Sequence, residues 1–347
     1  MSDLYERAPE RGPGLRLHLN ENTAGCSPRV LAAMRSVTAS QAAFYPDYGA
    51  TLRSCAHWLG VSDDELFLTN GLDEGIYSTA VAWLQRFDDG HPAEAVVVEP
   101  AYALFAASAG VVGARLVHVG PRPDFSFPTA ETLNAIGPAT RVVFVASPAN
   151  PSGVLVGPEQ IRAVASRLPP GAIVFLDEAY GEFAGTSFLS ELRSCPNVLL
   201  GRTFAKAYGL AAVRAGYLVG AAPLIDRIRT ITLPFSVNVF ALAAVRAAID
   251  DGDYVDWYVA QVEASRQLIY RACERMGIEY WKSHANFVLV RLGPRAGNVV
   301  EGLAARGVYV RDRSAVAGCA GCIRITAGVV EHTEACLVEL EALCARG

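Results

Sequence analysis

Four short apolar runs, at 95–99, 141–146, 172–177 and 197–201, set the architecture open to this chain. Each is a continuous stretch of Val, Ile, Leu, Phe and Ala instead of an alternating one, so it is apolar on both faces and suits a strand covered from both sides. Helical stretches lie between them, such as the one opening at Pro158, with proline in its first turn. Strand, helix and strand in repetition predict an α/β large domain built on a mostly parallel, doubly wound sheet. The texture then changes: a long helical stretch over 239–276 precedes apolar runs at 287–290, 308–311 and 322–326 and a closing helix over 331–345. This reads as a smaller α+β domain. The expected division is an N-terminal segment, 1–35, packing with the small domain, then a large domain over 36–245 and a small one over 246–347.

With 347 residues, 52% of them hydrophobic, there is ample material for two cores. A net charge of −5 speaks against a nucleic-acid partner, which needs a basic face. No apolar run has the roughly 18 residues of a membrane span, and the first residues lack the apolar core of a secretory signal, so the expected location is the cytoplasm without membrane contact. The eight cysteines are scattered along the chain, as reduced and mostly buried thiols are. Cys319 and Cys322 form a lone CxxC without a second pair, and the six histidines show no metal-ligand spacing, so no metal is expected.

The candidate chemistry follows the strands, where ligands sit in open α/β sheets. Lys206 lies in a segment of small and aromatic residues after the run at 197–201, with Arg214 as the next cation. By residue type a lysine is a solvated surface charge; in so apolar a setting it suggests a Schiff-base amine. Asp177 closes the run at 172–177, where a buried carboxylate needs a cationic partner. It reads either as a helix N-cap or as the partner of a pyridinium nitrogen. Tyr180 follows three residues on, and Asn150 stands in the Ser147–Gly153 turn after the run at 141–146; both are placed to bond a ring phenolate oxygen. Gly71, Leu72 and Asp73 open a helical stretch whose N-terminus suits a phosphate or is a plain helix start. Thr203 and Arg214 would complete a phosphate cup, and Tyr102, after the run at 95–99, would stack on a ring or pack in the core.

Taken in order, these motifs resemble the fold-type I, pyridoxal-phosphate-dependent aminotransferases, and among them the histidinol-phosphate aminotransferases, along nearly the whole chain. The segment Leu19-Asn20-Glu21-Asn22 with Ser27-Pro28, Tyr45-Pro46-Asp47, Asn70 to Glu74, Ser147 to Gly153, Asp177 to Tyr180, Arg202 to Tyr217 and Cys322 to Thr326 all match family motifs. The resemblance implies that Lys206 holds pyridoxal 5'-phosphate and shuttles a proton, that Asp177 pairs with the ring nitrogen, and that Tyr180 and Asn150 bind the phenolate oxygen. It implies Tyr102 on the ring, and Gly71, Leu72, Asp73, Thr203 and Arg214 around the phosphate. Tyr45 would reach the neighbouring subunit's cofactor, making an obligate homodimer with shared sites. Arg324, Arg311, Tyr5 and Asn22 would contact the substrate.

The chain departs from the family pattern at Ala205 and Leu72, where serines are usual, at Phe235, where tyrosine is common, and at Val330, where arginine is frequent. The activity implied is amino transfer from a small-molecule donor to a 2-oxo acid, with histidinol phosphate and 2-oxoglutarate as the pair. Transamination of aromatic or other amino acids, decarboxylation of a phosphorylated amino acid such as threonine phosphate, and a binding protein without turnover remain alternatives.

Overall fold

Strands of the computed structural model, which describes residues 12–85 and 92–345, form three sheets. The four apolar runs become Glu94–Val98, Thr140–Ala146, Ile173–Asp177 and Val198–Thr203, neighbours in a seven-stranded sheet. Its order is Leu66–Thr69, Gly216–Val219, Val198–Thr203, Ile173–Asp177, Thr140–Ala146, Glu94–Val98, Arg115–Val119. Only Gly216–Val219 runs against the rest, pairing antiparallel with both neighbours. The period-2 rule explains the composition. Val143, Val145, Val174 and Leu176 enter one core, while Val142, Phe144, Ile173 and Phe175 enter the other, so both faces are dry. On the second face Phe105 stacks on Phe144, with centroids 4.9 Å apart.

A four-stranded antiparallel sheet follows, in the order Arg311–Asp312, Cys322–Thr326, Phe287–Arg291, Glu279–Tyr280. The expected helical stretch at 239–276 divides into Val239–Ile249, capped by the Asn238 side chain on the Ala241 N–H, and Gly252–Met276, ending at Gly277 with φ 64°. The single run expected at 308–311 also divides. Val308–Tyr309 pairs in parallel with Leu15–Arg16, and Arg311–Asp312 pairs with the Cys322–Thr326 strand. The N-terminal segment continues across this region: Leu17 N–H donates to Tyr309 O at 2.8 Å, and Leu17 O accepts from Thr326 N–H at 3.0 Å.

Phe125, Trp281, Leu289, Cys319 and Cys322 make a third apolar cluster at the four-stranded sheet. Both thiols of the CxxC are buried there, and burial pushes Cys319 up to about 12, far from a reactive thiolate. All eight cysteines are free thiols. Among the described residues no cluster of His, Cys, Asp and Glu is arranged to hold a metal ion, and no helix is long and apolar enough to cross a membrane.

Candidate active site

Strand register brings the candidate residues to one edge. Ala146 lies beside Asp177 and Asp177 beside Gly201, so the turn carrying Asn150, the buried acid and the lysine loop all leave the carboxyl ends of adjacent strands. The lysine loop is tightly built: Thr203 Oγ1 accepts the Ala205 N–H at 3.1 Å, and Phe204 O accepts the Leu210 N–H at 3.0 Å. Gly209, at φ 71°, lies so close to Gly25 that a Cβ would fall 2.2 Å from its carbonyl oxygen. The Lys206 ammonium donates to Leu19 O at 3.2 Å and lies 5.7 Å from the centre of the Tyr180 ring.

Asp177 is buried and accepts the Ala179 N–H at 2.8 Å. Desolvation dominates its titration and carries the carboxyl up to about 7, with the Asp73 and Glu178 charges adding and the Ala179 bond and Lys206 charge opposing. Tyr180 Oη accepts from Asn20 Nδ2 at 2.9 Å, and its ring meets Phe287 edge-on at 5.0 Å. Its own O–H therefore remains a donor. Asn150 Oδ1 accepts from Arg324 Nη1 at 2.6 Å, which turns the Asn150 amide nitrogen the other way, again as a donor.

At the same carboxyl edge, just past Thr69, the Leu72–Trp83 helix starts from Gly71, at φ 76°, with no side-chain cap, so its first N–H groups are available to an anion. A Cβ on Gly71 would lie 2.6 Å from Arg214 Nη2, so glycine is what lets the guanidinium approach the helix start. Arg214 donates to Asp73 Oδ2 at 2.7 Å, and Tyr102 Oη donates to Asp73 Oδ1 at 3.2 Å. Thr203, expected in the phosphate cup, has its hydroxyl engaged in the loop: besides accepting from Ala205 it donates to Ala215 O at 3.4 Å. The Leu72 side chain turns into the core, and Ala205 carries no hydroxyl, which leaves backbone N–H groups and Arg214 as donors at this helix start.

Arg324 is 5% exposed. It donates to Asn150 and, through Nη2, to His18 O at 2.8 Å, while its Nε is buried without a partner. Its guanidinium lies 5.3 Å from the Phe287 ring centre. Desolvation brings it down to about 9, and the charges of Arg313 and Arg311 act in the same direction. Arg311 stands directly opposite Arg324 on the neighbouring strand.

Two expected substrate contacts fare differently. Both polar ends of Asn22 are engaged within the chain, the amide nitrogen on Ala207 O at 2.8 Å and the oxygen on the Ala24 N–H at 2.9 Å, so it fastens the N-terminal segment to the lysine loop. Tyr5 lies outside the described residues. Tyr45 is 82% exposed and stacks on Phe235 at 4.6 Å. Asn20 and Arg313 were not singled out from sequence. Asn20 lay inside a recognised motif, but its bond to Tyr180 appears only in three dimensions. Arg313, in Arg311-Asp312-Arg313, reads as one charge of a solvated turn.

The profile of the aminotransferase class I and II family matches residues 13–340. The histidinol-phosphate aminotransferase of Geobacillus sp. (strain WCH70) is 34% identical over 326 residues, covering 92% of this chain and 87% of that protein. That of Symbiobacterium thermophilum is 35% identical over 337 residues, 96% of this chain and 91% of its own. The crystal structure of histidinol-phosphate aminotransferase from Sinorhizobium meliloti, in complex with pyridoxal-5'-phosphate, superposes with a TM-score of 0.88 at 28% identity, covering 97% of this chain and 92% of that one. The chain belongs to the aminotransferase class I and II family and is a transaminase. Within that class it resembles the histidinol-phosphate aminotransferases.

Proposed function

We propose that the protein binds pyridoxal 5'-phosphate in this cleft and transfers an amino group from histidinol phosphate to 2-oxoglutarate, as a cytoplasmic homodimer with shared sites. The residues present fit the cofactor. Asp177 is a buried acid with a single backbone N–H bond, Gly71 leaves room that a Cβ would fill, and the uncapped helix start and Arg214 face that room. When bound, the pyridine ring supplies a sink for the electron pair released at the substrate α-carbon.

Lys206 Nζ would supply the covalent link and, once free, would carry the proton at the substrate α-carbon. Asp177 would keep the ring nitrogen protonated, and the Tyr180 hydroxyl and Asn150 amide would donate to the phenolate oxygen. The helix start at Gly71, Leu72 and Asp73 would bind the phosphate with Arg214, and Tyr102, fixed through Asp73, would flank the ring. Arg311 and Arg324 hold the donor's phosphate and the acceptor's distal carboxylate in turn.

The observation carrying the substrate assignment is Arg324: a buried guanidinium with no carboxylate partner among the described residues, opposite a second arginine, asks for an anionic ligand. Exposed Tyr45, Phe44, Phe235 and Phe240 support the dimer, and eight free thiols fit a reducing compartment. The test is a panel of donors with the loaded enzyme: histidinol phosphate, glutamate, phenylalanine and threonine phosphate, followed by amino transfer and by carbon dioxide release. Turnover of another donor with none of histidinol phosphate would refute the assignment.

A further inference from the structure

Arg313 extends the strand pairing that holds Arg311. Its N–H donates to Cys322 O at 2.9 Å, one step beyond the pairs Arg311 with Arg324 and Asp312 with Ile323. Side chains alternate along a strand, so Arg311, Arg313 and Arg324 share one face of this sheet and Asp312 takes the other. The loop beyond is held in place. Arg313 O accepts the Val316 N–H at 2.9 Å, and Gly318, at φ 75°, fits so closely that a Cβ would lie 2.8 Å from Pro121 Cγ.

Among the described residues none of these three arginines makes an ion pair. The Nε atoms of both Arg313 and Arg324 are buried without partners, and Asp312 spends Oδ1 on the Ser314 N–H at 2.7 Å. Elsewhere the chain treats a shielded arginine differently: Arg202 is met by Glu178 at 2.7 Å and Glu182 at 3.3 Å. Three neighbouring cations that no carboxylate among the described residues pairs form a site prepared for charge from elsewhere. Burial and the charge of Arg311 lower the Arg313 titration, with Cys319, Tyr180 and Asp312 opposing, and Tyr180 lies within electrostatic reach of Arg313 and Arg324 alike.

We propose that Arg313 is a specificity-determining residue, a third guanidinium of the substrate-anion subsite that favours a phosphate monoester over a carboxylate. This rests on the transaminase reading above and deepens it. A phosphate brings close to two negative charges and three acceptor oxygens, enough to engage all three arginines. A carboxylate brings one charge and two oxygens and leaves a cation unpaired, which counts against the singly charged ligand.

The decisive measurement is calorimetric titration of cofactor-loaded protein with inorganic phosphate and, separately, with acetate, for wild type, Arg313→Gln and Arg313→Lys. Loss of one charge-assisted contact predicts that Arg313→Gln weakens phosphate by about 10-fold or more and acetate by less than about 3-fold, with Arg313→Lys between them. Steady-state kinetics add a second reading: the ratio of kcat/KM for histidinol phosphate to that for histidinol falls by about 10-fold in Arg313→Gln, mainly through KM. Equal weakening of phosphate and acetate, or phosphate binding within about 2-fold of wild type in both variants, overturns the proposal. If wild type refuses histidinol phosphate, the substrate assignment fails, while the phosphate titration still decides the role of Arg313.

Discussion

Asn150 and Arg324, 174 residues apart, meet at 2.6 Å across the cleft, the amide oxygen of one accepting from the guanidinium of the other. Asn150 belongs to a turn at the edge of the large sheet and Arg324 to the central part of the four-stranded one. The bond orients both: it leaves the Asn150 amide nitrogen as a donor turned away from Arg324, and it fixes the guanidinium.

Asn150→Ala removes a charge-assisted bond worth about 1.5–3 kcal/mol, so kcat/KM should drop by roughly 10- to 100-fold for donor and acceptor alike. Asn150→Asp should be at least as damaging for anionic substrates, because its carboxylate would neutralise Arg324 from within the chain. Steady-state kinetics on both half-reactions check this, and a loss confined to one substrate would contradict it.

The acid at the end of the Ile173–Asp177 strand predicts a pH effect. Its carboxyl sits at about 7 in the folded chain, against 3.8 ordinarily. A folded value above the unfolded one favours the fold at low pH, and that contribution is lost as pH rises toward about 7. In cofactor-free protein, Asp177→Asn should therefore raise the melting temperature, by an amount that grows from about pH 4 to about pH 7 and is level above. The same substitution should weaken cofactor binding. Melting curves across this range decide the matter, and a pH-independent difference would contradict the burial account.

Gly71→Ala places a methyl group 2.6 Å from Arg214 Nη2 on a backbone at φ 76°. The strained backbone costs about 1–3 kcal/mol, and the displaced guanidinium should raise the Kd for pyridoxal phosphate by roughly 10-fold or more. Spectral titration of the cofactor-free variant measures it.

Shared sites can be tested by complementation. Tyr45→Ala and Lys206→Ala should each be strongly impaired alone, yet a refolded mixture should recover up to roughly a quarter of the wild-type sites, since a heterodimer rebuilds one complete site. No recovery in a mixture shown to contain heterodimers would place Tyr45 outside the partner's site.

Much of this was legible in the chain because a central strand buried on both faces must be apolar throughout. The runs ending at Ala146, Asp177 and Gly201 thus announced themselves and marked where chemistry would follow. Leu66–Thr69, Arg115–Val119 and Gly216–Val219 did not, being short, edge-placed or polar in part. Val308–Arg311 looked like one strand because periodicity records burial and not partners: Val310 is buried while the chain passes from one neighbouring strand to another. Asn20 escaped notice for a related reason. Its value lies in a bond to Tyr180, 160 residues away. Arg313 lies just past the apolar run at 308–311, where nothing in the sequence marks it.

The pairing of the N-terminal segment also dictates an order of assembly. Asn20, which orients Tyr180, is itself held by Thr326, 306 residues further along. Leu15 lies against Val308, and Lys206 bonds to Leu19 O. On a ribosome, Asn20 emerges 306 residues before Thr326, the partner that holds it. The large sheet can form while synthesis continues, whereas the working geometry around Lys206 must wait until residue 326 has left the tunnel. A nascent chain halted before that point would carry every residue of the lysine loop and still lack the strap that orders it.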